Sequence, residues 1–214
     1  MNRQLLIIGT AILALGVVAA VILVPRLNTP TVAVAAGELA LADQPVKGDP
    51  TAPVEIVVFE DFLCPHCGTF VNNVAPQLKR DFVDTGKARY YMKNFVVMGP
   101  ESQRVAQVGE CVHEQGSDAF WQFETVAFRS QSSLSESVAI NLARQYVEGL
   151  DAGALDACIA ENRGVAQVQA DSERALANGL TGTPSVLVNG ELIIASSYQV
   201  LADAIESAYA EAQD

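Results

Sequence analysis

The spacing of apolar and polar positions divides the chain into three parts. Residues 5–24 are apolar apart from Thr10 and carry no charge, and residues 26–45 show no periodic pattern. From residue 46 to residue 214, short apolar runs typical of buried strands alternate with apolar positions at helical spacing. This alternation predicts one α/β domain over residues 46–214, preceded by a tether and an apolar segment.

The predicted domain begins with a strand-helix-strand unit. Residues 54–59 form an apolar run that predicts a buried strand, and residues 87–97, rich in aromatic and β-branched side chains, predict a second strand. Between them, apolar side chains recur at every fourth position from Phe70 to Leu78, which predicts a helix over residues 64–80.

The predicted domain ends with a hairpin and a helix. Asn189-Gly190 between two apolar runs is a strong hairpin signal, so residues 185–194 are predicted to form two strands joined by a type I′ turn. An amphipathic helix is predicted over residues 198–212. A mostly helical stretch separates the two halves, and its candidate helices are residues 101–115, 119–129, 135–148, 155–161 and 165–178.

The apolar segment is long enough to cross a membrane, because twenty helical residues span about 30 Å. Arg3 precedes it, so residues 1–25 are predicted to form a single-pass anchor with the remaining chain outside the cytoplasm. The alternative is a cleaved signal peptide, for which Ala33-Val34-Ala35 offers a small-residue cleavage site and which would release a secreted protein. Both interpretations place the domain in an oxidising compartment, such as the periplasm or the cell exterior.

The charge balance argues against one class of partner. The 214 residues carry a net charge of −12, and the 13 lysine and arginine residues are scattered. Nucleic acid is therefore a poor candidate ligand.

The motif with the most chemistry is Cys64-Pro65-His66-Cys67, directly after the first predicted strand. Two cysteines at this spacing can close a reversible disulfide, and at a helix start the first thiolate faces unpaired N–H groups and the positive end of the helix dipole. Pro65 suits the first helical turn, and His66, when cationic, further favours the thiolate. The same four residues are compatible with half of a zinc site, a structural pair or an inert disulfide.

A second motif, Thr183-Pro184, lies just before the hairpin, where the proline is predicted to be cis or at a sheet edge. With it the chain resembles the thioredoxin superfamily, and in particular its DsbA-like branch of extracytoplasmic disulfide oxidoreductases. The segment from Phe62 to Cys67 looks like the DsbA active site, and Thr183-Pro184 looks like the cis-proline loop that faces it. The resemblance implies a thioredoxin fold with a helical insertion at about residues 100–178.

The resemblance also implies roles for these residues. Cys64 would be the nucleophilic position and Cys67 its buried partner in a redox-active disulfide, with no metal or cofactor. The Thr183 backbone would pair with a bound peptide. Phe62 and Leu63 would flank the site and bind unfolded substrates, with core packing as the alternative. The expected catalytic set is Cys64, Pro65, His66, Cys67, Thr183 and Pro184.

One position departs from the family pattern. Relatives usually carry a buried acid six residues before the first cysteine, and here that residue is Val58. Glu60 follows two residues later and therefore on the same strand face. We hypothesise that Glu60 moves protons for Cys67, with a surface carboxylate at a loop edge as the alternative.

The remaining cysteines, Cys111 and Cys158, both lie on helical patterns in the insertion. An even cysteine count in an oxidising compartment predicts a structural disulfide between them. Two buried free thiols, a redox relay to Cys64 and Cys67, or a four-cysteine zinc site are the alternatives.

The expected function is that of an oxidant that transfers its Cys64–Cys67 disulfide to unfolded or thiol-containing exported proteins. By the same resemblance, a quinone-linked membrane partner would re-oxidise it. A disulfide reductase or isomerase of the same fold is one alternative. A membrane-tethered holdase with an inactive Cys-X-X-Cys motif is another.

Overall fold

A mixed β-sheet organises the part of the chain that the computed structural model describes, which is residues 31–33, 39–194 and 197–213. Its strand order is β1-β6-β5-β3-β4-β2. The pair β3–β4 is parallel, whereas β2–β4, β3–β5 and β5–β6 are antiparallel. The strands are β1 (Thr31–Ala33), β2 (Val46–Lys47), β3 (Val54–Glu60), β4 (Ala88–Asn94), β5 (Ser185–Val188) and β6 (Glu191–Ile193).

The central strand β3 is buried on both faces, as its continuous apolar run predicts. Ile56 and Val58 belong to the larger core, which lies under the helices, and Val57 and Phe59 belong to a second core on the opposite face. All four side chains have no exposed surface. Covering both faces explains why β3 shows no polar alternation.

The helix after β3 is shorter than the sequence predicts. Helix α1 spans Pro65–Asn73, and after a break at Val74 the chain continues as α2 (Ala75–Leu78) and a π-helical turn (Lys79–Val83). Pro76 causes the break, since it has no N–H to continue the helical ladder. The Gln77 side-chain amide donates to the carbonyl of Asn73 (2.7 Å) and so satisfies one backbone group at the break.

The predicted run of helices between the two halves is confirmed. Its central element is α3, which contacts the four helices that follow it in the chain. A 3₁₀ turn, Gln131–Ser133, joins the second and third helices of the run. The five helices are α3 (Pro100–His113), α4 (Ser117–Arg129), α5 (Glu136–Tyr146), α6 (Ala152–Ala160) and α7 (Val165–Ala177).

The predicted hairpin and last helix are also confirmed. Asn189 and Gly190 have φ values of +46° and +82°, as a type I′ turn requires. The Asn189 side chain in addition accepts a hydrogen bond from the Glu55 N–H (2.8 Å), which fastens the turn to β3. Helix α8 (Tyr198–Glu211) buries Leu201 and Ile205 against the sheet.

The folded unit begins earlier than the predicted boundary at residue 46. Leu39 has no exposed surface and belongs to the second core, and Gln44 is buried with its amide on Asp171. The last residues of the predicted tether 26–45 therefore pack on the domain. They were missed because an irregular segment has no periodicity.

The predicted anchor, residues 1–25, lies outside the described residues. Among the helices that are described, none has the length and apolarity needed to span a membrane.

Cys111 of α3 and Cys158 of α6 form the disulfide that the sequence predicts, with their Cα atoms 5.6 Å apart. The bridge closes a loop of 47 residues, so the chain-entropy relation gives a stabilisation of about 4 kcal/mol.

We expect the Cys111→Ala/Cys158→Ala variant to lose roughly this much free energy of unfolding in urea titrations. The Cys64–Cys67 reaction should survive in the folded fraction. A loss below about 1 kcal/mol would show that the bridge does not constrain the unfolded chain.

Candidate active site

Cys64 is the N-cap residue of α1, and Pro65 occupies the first helical position. The Gly68 N–H donates to the Cys64 carbonyl (3.1 Å) and opens the helix. The thiol of Cys64 therefore lies at the positive end of the α1 dipole, where a thiolate is stabilised. The residue is 5% exposed, and its Sγ lies 3.4 Å from the carbonyl oxygen of Thr183.

Cys67 lies one helical turn further on and has no exposed surface. The Asp61 N–H donates to its Sγ (3.5 Å). Burial raises the pKa of the Cys67 thiol far above its ordinary value, and the charge of Glu60 raises it further. Cys67 is therefore held as a neutral thiol, and of the two cysteines only Cys64 keeps exposed surface.

The Thr183–Pro184 loop faces the cysteines from the neighbouring strand. The Thr183–Pro184 peptide bond is cis, and β5 begins directly after it beside β3. The Ser185 hydroxyl donates to the Gly182 carbonyl (2.7 Å) and ties the loop together. The structure thus brings together the two motifs, which lie more than a hundred positions apart in the sequence.

The residues around the cysteines differ in exposure. Pro65 and His66 are exposed on the first turn of α1, and Leu63 is half-buried beside them. Phe62 is only 1% exposed, and its ring packs on Phe128 (5.1 Å between centroids) and on a second phenylalanine of α4. Because the insertion encloses the ring, the structure favours the alternative of core packing for Phe62 over contact with substrate.

Glu60 ends β3 with no exposed surface, and neither carboxylate oxygen has a hydrogen-bond partner among the described residues. Burial raises the pKa of this carboxyl well above its usual value, Glu124 raises it further, and Lys79 opposes both. The alternative of a surface carboxylate is excluded. Val58, the position where relatives carry an acid, is a core residue that pairs with Val186.

A buried ion pair lies near Glu60. The Lys79 ammonium is 3.2 Å from Glu124, and it also lies over the rings of Tyr90 (4.7 Å) and Trp121 (4.4 Å). The Lys79 side chain keeps 15% of its surface exposed, whereas that of Glu124 keeps 2%. The positive charge of Lys79 is therefore available to balance negative charge that develops on Glu60.

Asp61 organises the loop before Cys64, and sequence reasoning missed it. Its carboxylate accepts hydrogen bonds from Leu63 N (2.8 Å), Val97 N (2.8 Å), Met98 N (2.9 Å) and the Ser102 hydroxyl. The bond to Leu63 is an Asx turn that the sequence can suggest. The other three join segments more than thirty residues apart and leave no local signal.

Gln131 is a second residue that the sequence did not indicate. Its side-chain amide reaches from the 3₁₀ turn of the insertion to the active-site loop. There it donates to the carbonyls of Phe62 (2.9 Å) and Cys64 (2.9 Å). The helical insertion is thus hydrogen-bonded directly to the backbone of Cys64.

A second buried polar cluster surrounds Glu110 of α3. Glu110 accepts from the Asn94 amide (2.6 Å), and burial, with Asp171 adding to it, raises its pKa to about 8. Lys93 acts in the opposite direction. The carboxyl is therefore mostly neutral in the folded protein at pH 7.

This raised pKa predicts a pH dependence of stability. The pKa of Glu110 is higher in the folded than in the unfolded chain. The free energy of unfolding therefore decreases as the pH rises from about 4.5 to about 8, because folding then keeps a proton that the unfolded chain has lost. The Glu110→Gln variant should not show this decrease. Between pH 5 and pH 9, its free energy of unfolding should rise relative to that of the wild type by about 3 kcal/mol. Urea unfolding at both pH values measures the difference. Glu148→Gln, at an exposed position, is the control. Equal pH dependence in all three proteins would contradict the prediction.

Comparisons with known proteins agree with this geometry. The family model described as thioredoxin matches residues 41–207. The probable disulfide bond formation protein D of Bacillus anthracis is 33% identical over 158 residues, which cover 72% of this chain and 73% of that protein. The crystal structure of oxidised BdbD from Bacillus subtilis has a TM-score of 0.75 at 27% identity, covering 83% of this chain and 98% of that chain.

A more distant structure shows the same fold. The α-DsbA1 protein of Wolbachia pipientis has a TM-score of 0.71 at 22% identity, covering 82% of this chain and 95% of that chain. Because the residues that match the family model include both active-site cysteines and the Thr183–Pro184 loop, the chain belongs to the thioredoxin family, and within it to the DsbA-like thiol:disulfide oxidoreductases.

Proposed function

We propose that the protein works as an extracytoplasmic oxidant that transfers its Cys64–Cys67 disulfide to thiols of exported proteins. The observation that carries the proposal is the asymmetry of the pair. Cys64 lies at the N-terminus of α1 with its sulfur beside Thr183, while Cys67 has no exposed surface. A thiolate stabilised at Cys64 is a good leaving group, which favours giving the disulfide away.

The geometry supports a two-step transfer. A substrate thiolate attacks the sulfur of Cys64, the Cys64–Cys67 bond breaks, and the sulfur of Cys67 leaves with the electron pair. A second substrate thiolate then attacks the substrate sulfur of this mixed disulfide, and Cys64 leaves with the electron pair. The substrate gains a disulfide and the protein keeps two electrons as a dithiol.

Cys67 must take up a proton when it leaves, because its pKa lies above neutral pH. Glu60 is the acid proposed to supply that proton. It is buried, and its raised pKa favours the protonated carboxyl. Its negative charge is also one of the causes that raise the pKa of Cys67. Lys79 would balance the negative charge left on Glu60 after the transfer.

Glu60→Gln tests this role. The amide keeps the size of the side chain but cannot donate a carboxyl proton, so we expect the first step to slow by about a factor of 100. Its pH dependence should reduce to the rise with pH that ionisation of the attacking peptide thiol causes. Stopped-flow rates of oxidised protein with a reduced peptide thiol, from pH 5 to pH 8, give the profile. Glu191→Gln, at an exposed strand position, is the control. An unchanged profile in the Glu60 variant would end the proposal.

Substrate contacts are proposed for Leu63 and for the backbone of Thr183. Leu63 is the half-buried apolar side chain next to Cys64, and Thr183 precedes a strand of the sheet. An extended peptide could hydrogen-bond to that backbone as an added strand, with its cysteine delivered to Cys64.

The setting of the reaction is proposed from the N-terminal sequence. Residues 1–25 would anchor the protein in the membrane with its domain outside the cytoplasm, and a quinone-linked membrane partner would re-oxidise it. Mass spectrometry of the mature N-terminus tests the anchor. A chain beginning after residue 35 would show signal cleavage instead.

The reduction potential of Cys64–Cys67 tests the direction of transfer. Equilibration with glutathione buffers should give a reduction potential of about −120 mV, the value for DsbA. A value near about −270 mV, that of thioredoxin, would show a reductant and overturn the oxidant proposal.

A further inference from the structure

Gln131 belongs to the helical insertion, yet its amide contacts the loop that carries the nucleophile. One nitrogen, Nε2, donates to the carbonyls of both Phe62 and Cys64, each at 2.9 Å. The Cys64 carbonyl also accepts the first helical bond of α1, from Gly68 N (3.1 Å). The backbone of the nucleophilic residue is thus held from within α1 and from the insertion.

Gly68 makes room for this amide. A Cβ atom at Gly68 would collide with the Gln131 side-chain oxygen and come within 2.9 Å of its amide carbon. Gly68 lies inside α1 with ordinary helical backbone, where alanine is favoured by about 1 kcal/mol. The glycine is therefore explained by the close approach of Gln131 and not by a backbone requirement.

We infer that Gln131 is a positioning residue for the thiol–disulfide reaction, holding the Cys64 backbone and reducing the negative partial charge of the carbonyl that belongs to the same residue as the reacting sulfur. The inference deepens the proposed function and rests on it. A carbonyl oxygen close to a thiolate repels it, and an N–H bond to that oxygen weakens the repulsion. Gln131 thereby favours the reduced protein and makes its disulfide more oxidising.

The test compares the equilibrium of each variant with glutathione, written as oxidation of glutathione by the protein disulfide. Gln131→Met keeps the length of the side chain without the amide. We expect its equilibrium constant to fall three- to tenfold, because the amide stabilises the reduced protein more than the oxidised protein. Tenfold corresponds to about 30 mV.

Two further variants make the test specific. Gln131→Glu places a carboxylate against both carbonyls, so its equilibrium constant should fall further at pH 7 and partly recover near pH 5, where a protonated carboxyl can donate. Gly68→Ala should displace the Gln131 amide and reproduce the effect of Gln131→Met. Combining the Gly68→Ala and Gln131→Met substitutions should then give no additional fall.

Gln115→Met is the matched control. The Gln115 side chain is likewise hydrogen-bonded to backbone groups: it donates to the Asp151 carbonyl and accepts from the Asp151 N–H. Asp151 lies in a loop that contributes no residue to the candidate active site. Its variant should keep the wild-type equilibrium constant. Urea unfolding of all variants separates a change in stability from a change in the redox equilibrium.

A wild-type equilibrium constant in both the Gln131→Met and Gln131→Glu proteins, with or without a lower unfolding free energy, would overturn the inference. Gln131 would then only dock the insertion. Failure of the proposed function looks different, since it appears in the wild-type protein as an equilibrium constant on the reducing side. The ratio of the wild-type to the variant equilibrium constant reports the effect of Gln131 whether the wild-type protein is an oxidant or a reductant.

Discussion

Replacing Cys64 by alanine is expected to abolish disulfide exchange, whereas replacing Cys67 by alanine is expected to stop the reaction at a mixed disulfide. Cys64 is the N-cap residue of α1 and keeps 5% of its surface exposed, whereas Cys67 keeps none, so a substrate reaches the pair through Cys64. Cys67 is fully buried with a raised pKa, so it reacts only with the neighbouring Cys64.

Mass spectrometry after incubation with glutathione disulfide measures this difference. The reduced Cys67→Ala protein should gain one glutathionyl group on Cys64, and the Cys64→Ala protein should gain none. The disulfide between Cys111 and Cys158 is present in both variants and serves as an internal control. Adduct formation at Cys67 at a comparable rate would contradict the assignment of Cys64 as the nucleophile.

The second large effect is expected at an ion pair outside the active site. Lys93 of β4 and Asp171 of α7 are 2.6 Å apart, and neither side chain has exposed surface. Asp171 also accepts hydrogen bonds from Asn94 N (3.2 Å) and Gln167 (2.9 Å). Burial lowers the pKa of Lys93 and raises that of Asp171, and each charge opposes the effect of burial on the other.

Lys93→Met should therefore lower the free energy of unfolding by about 3–5 kcal/mol, because it leaves the Asp171 carboxylate buried without its counterion. The Lys93→Met/Asp171→Leu variant should recover most of this loss, since a buried pair can be replaced by apolar groups at little cost. Urea unfolding measures both variants.

The exposed pair Arg144–Asp156 offers a matched control, with side chains 43% and 55% exposed. Arg144→Met should cost less than about 1 kcal/mol. If Lys93→Met were equally mild, the buried pair would not be ionised in the folded protein and the argument for its stability would fail.

Much of the fold follows from local signals. The apolar run of β3, the type I′ turn at Asn189–Gly190 and the amphipathic α8 each depend on residues close in sequence, so their spacing predicts them. The predicted helix 64–80 shows the limit. Its apolar spacing continues through Pro76, although a proline inside a helix removes an N–H from the ladder, and the spacing gives no sign of the π-helical turn at Lys79–Val83.

The chemistry of the site divides in the same way. The Cys-X-X-Cys motif at the start of a helix and the Thr183–Pro184 loop before a strand are local patterns. By themselves they identify Cys64 and Cys67 as the candidate redox pair. Their resemblance to a known family also predicted that the two motifs face each other, and the 3.4 Å contact between Cys64 and Thr183 agrees with it.

Only the tertiary structure decided the environment of these residues. The burial of Glu60, the enclosure of Phe62 by the insertion, the backbone contacts of Gln131 and the pairing of Lys93 with Asp171 all join segments far apart in the chain. A glutamate or glutamine looks the same in sequence whether it lies in solvent or in the core. Desolvation and hydrogen bonding act through space, so they take their value from neighbours that the fold supplies.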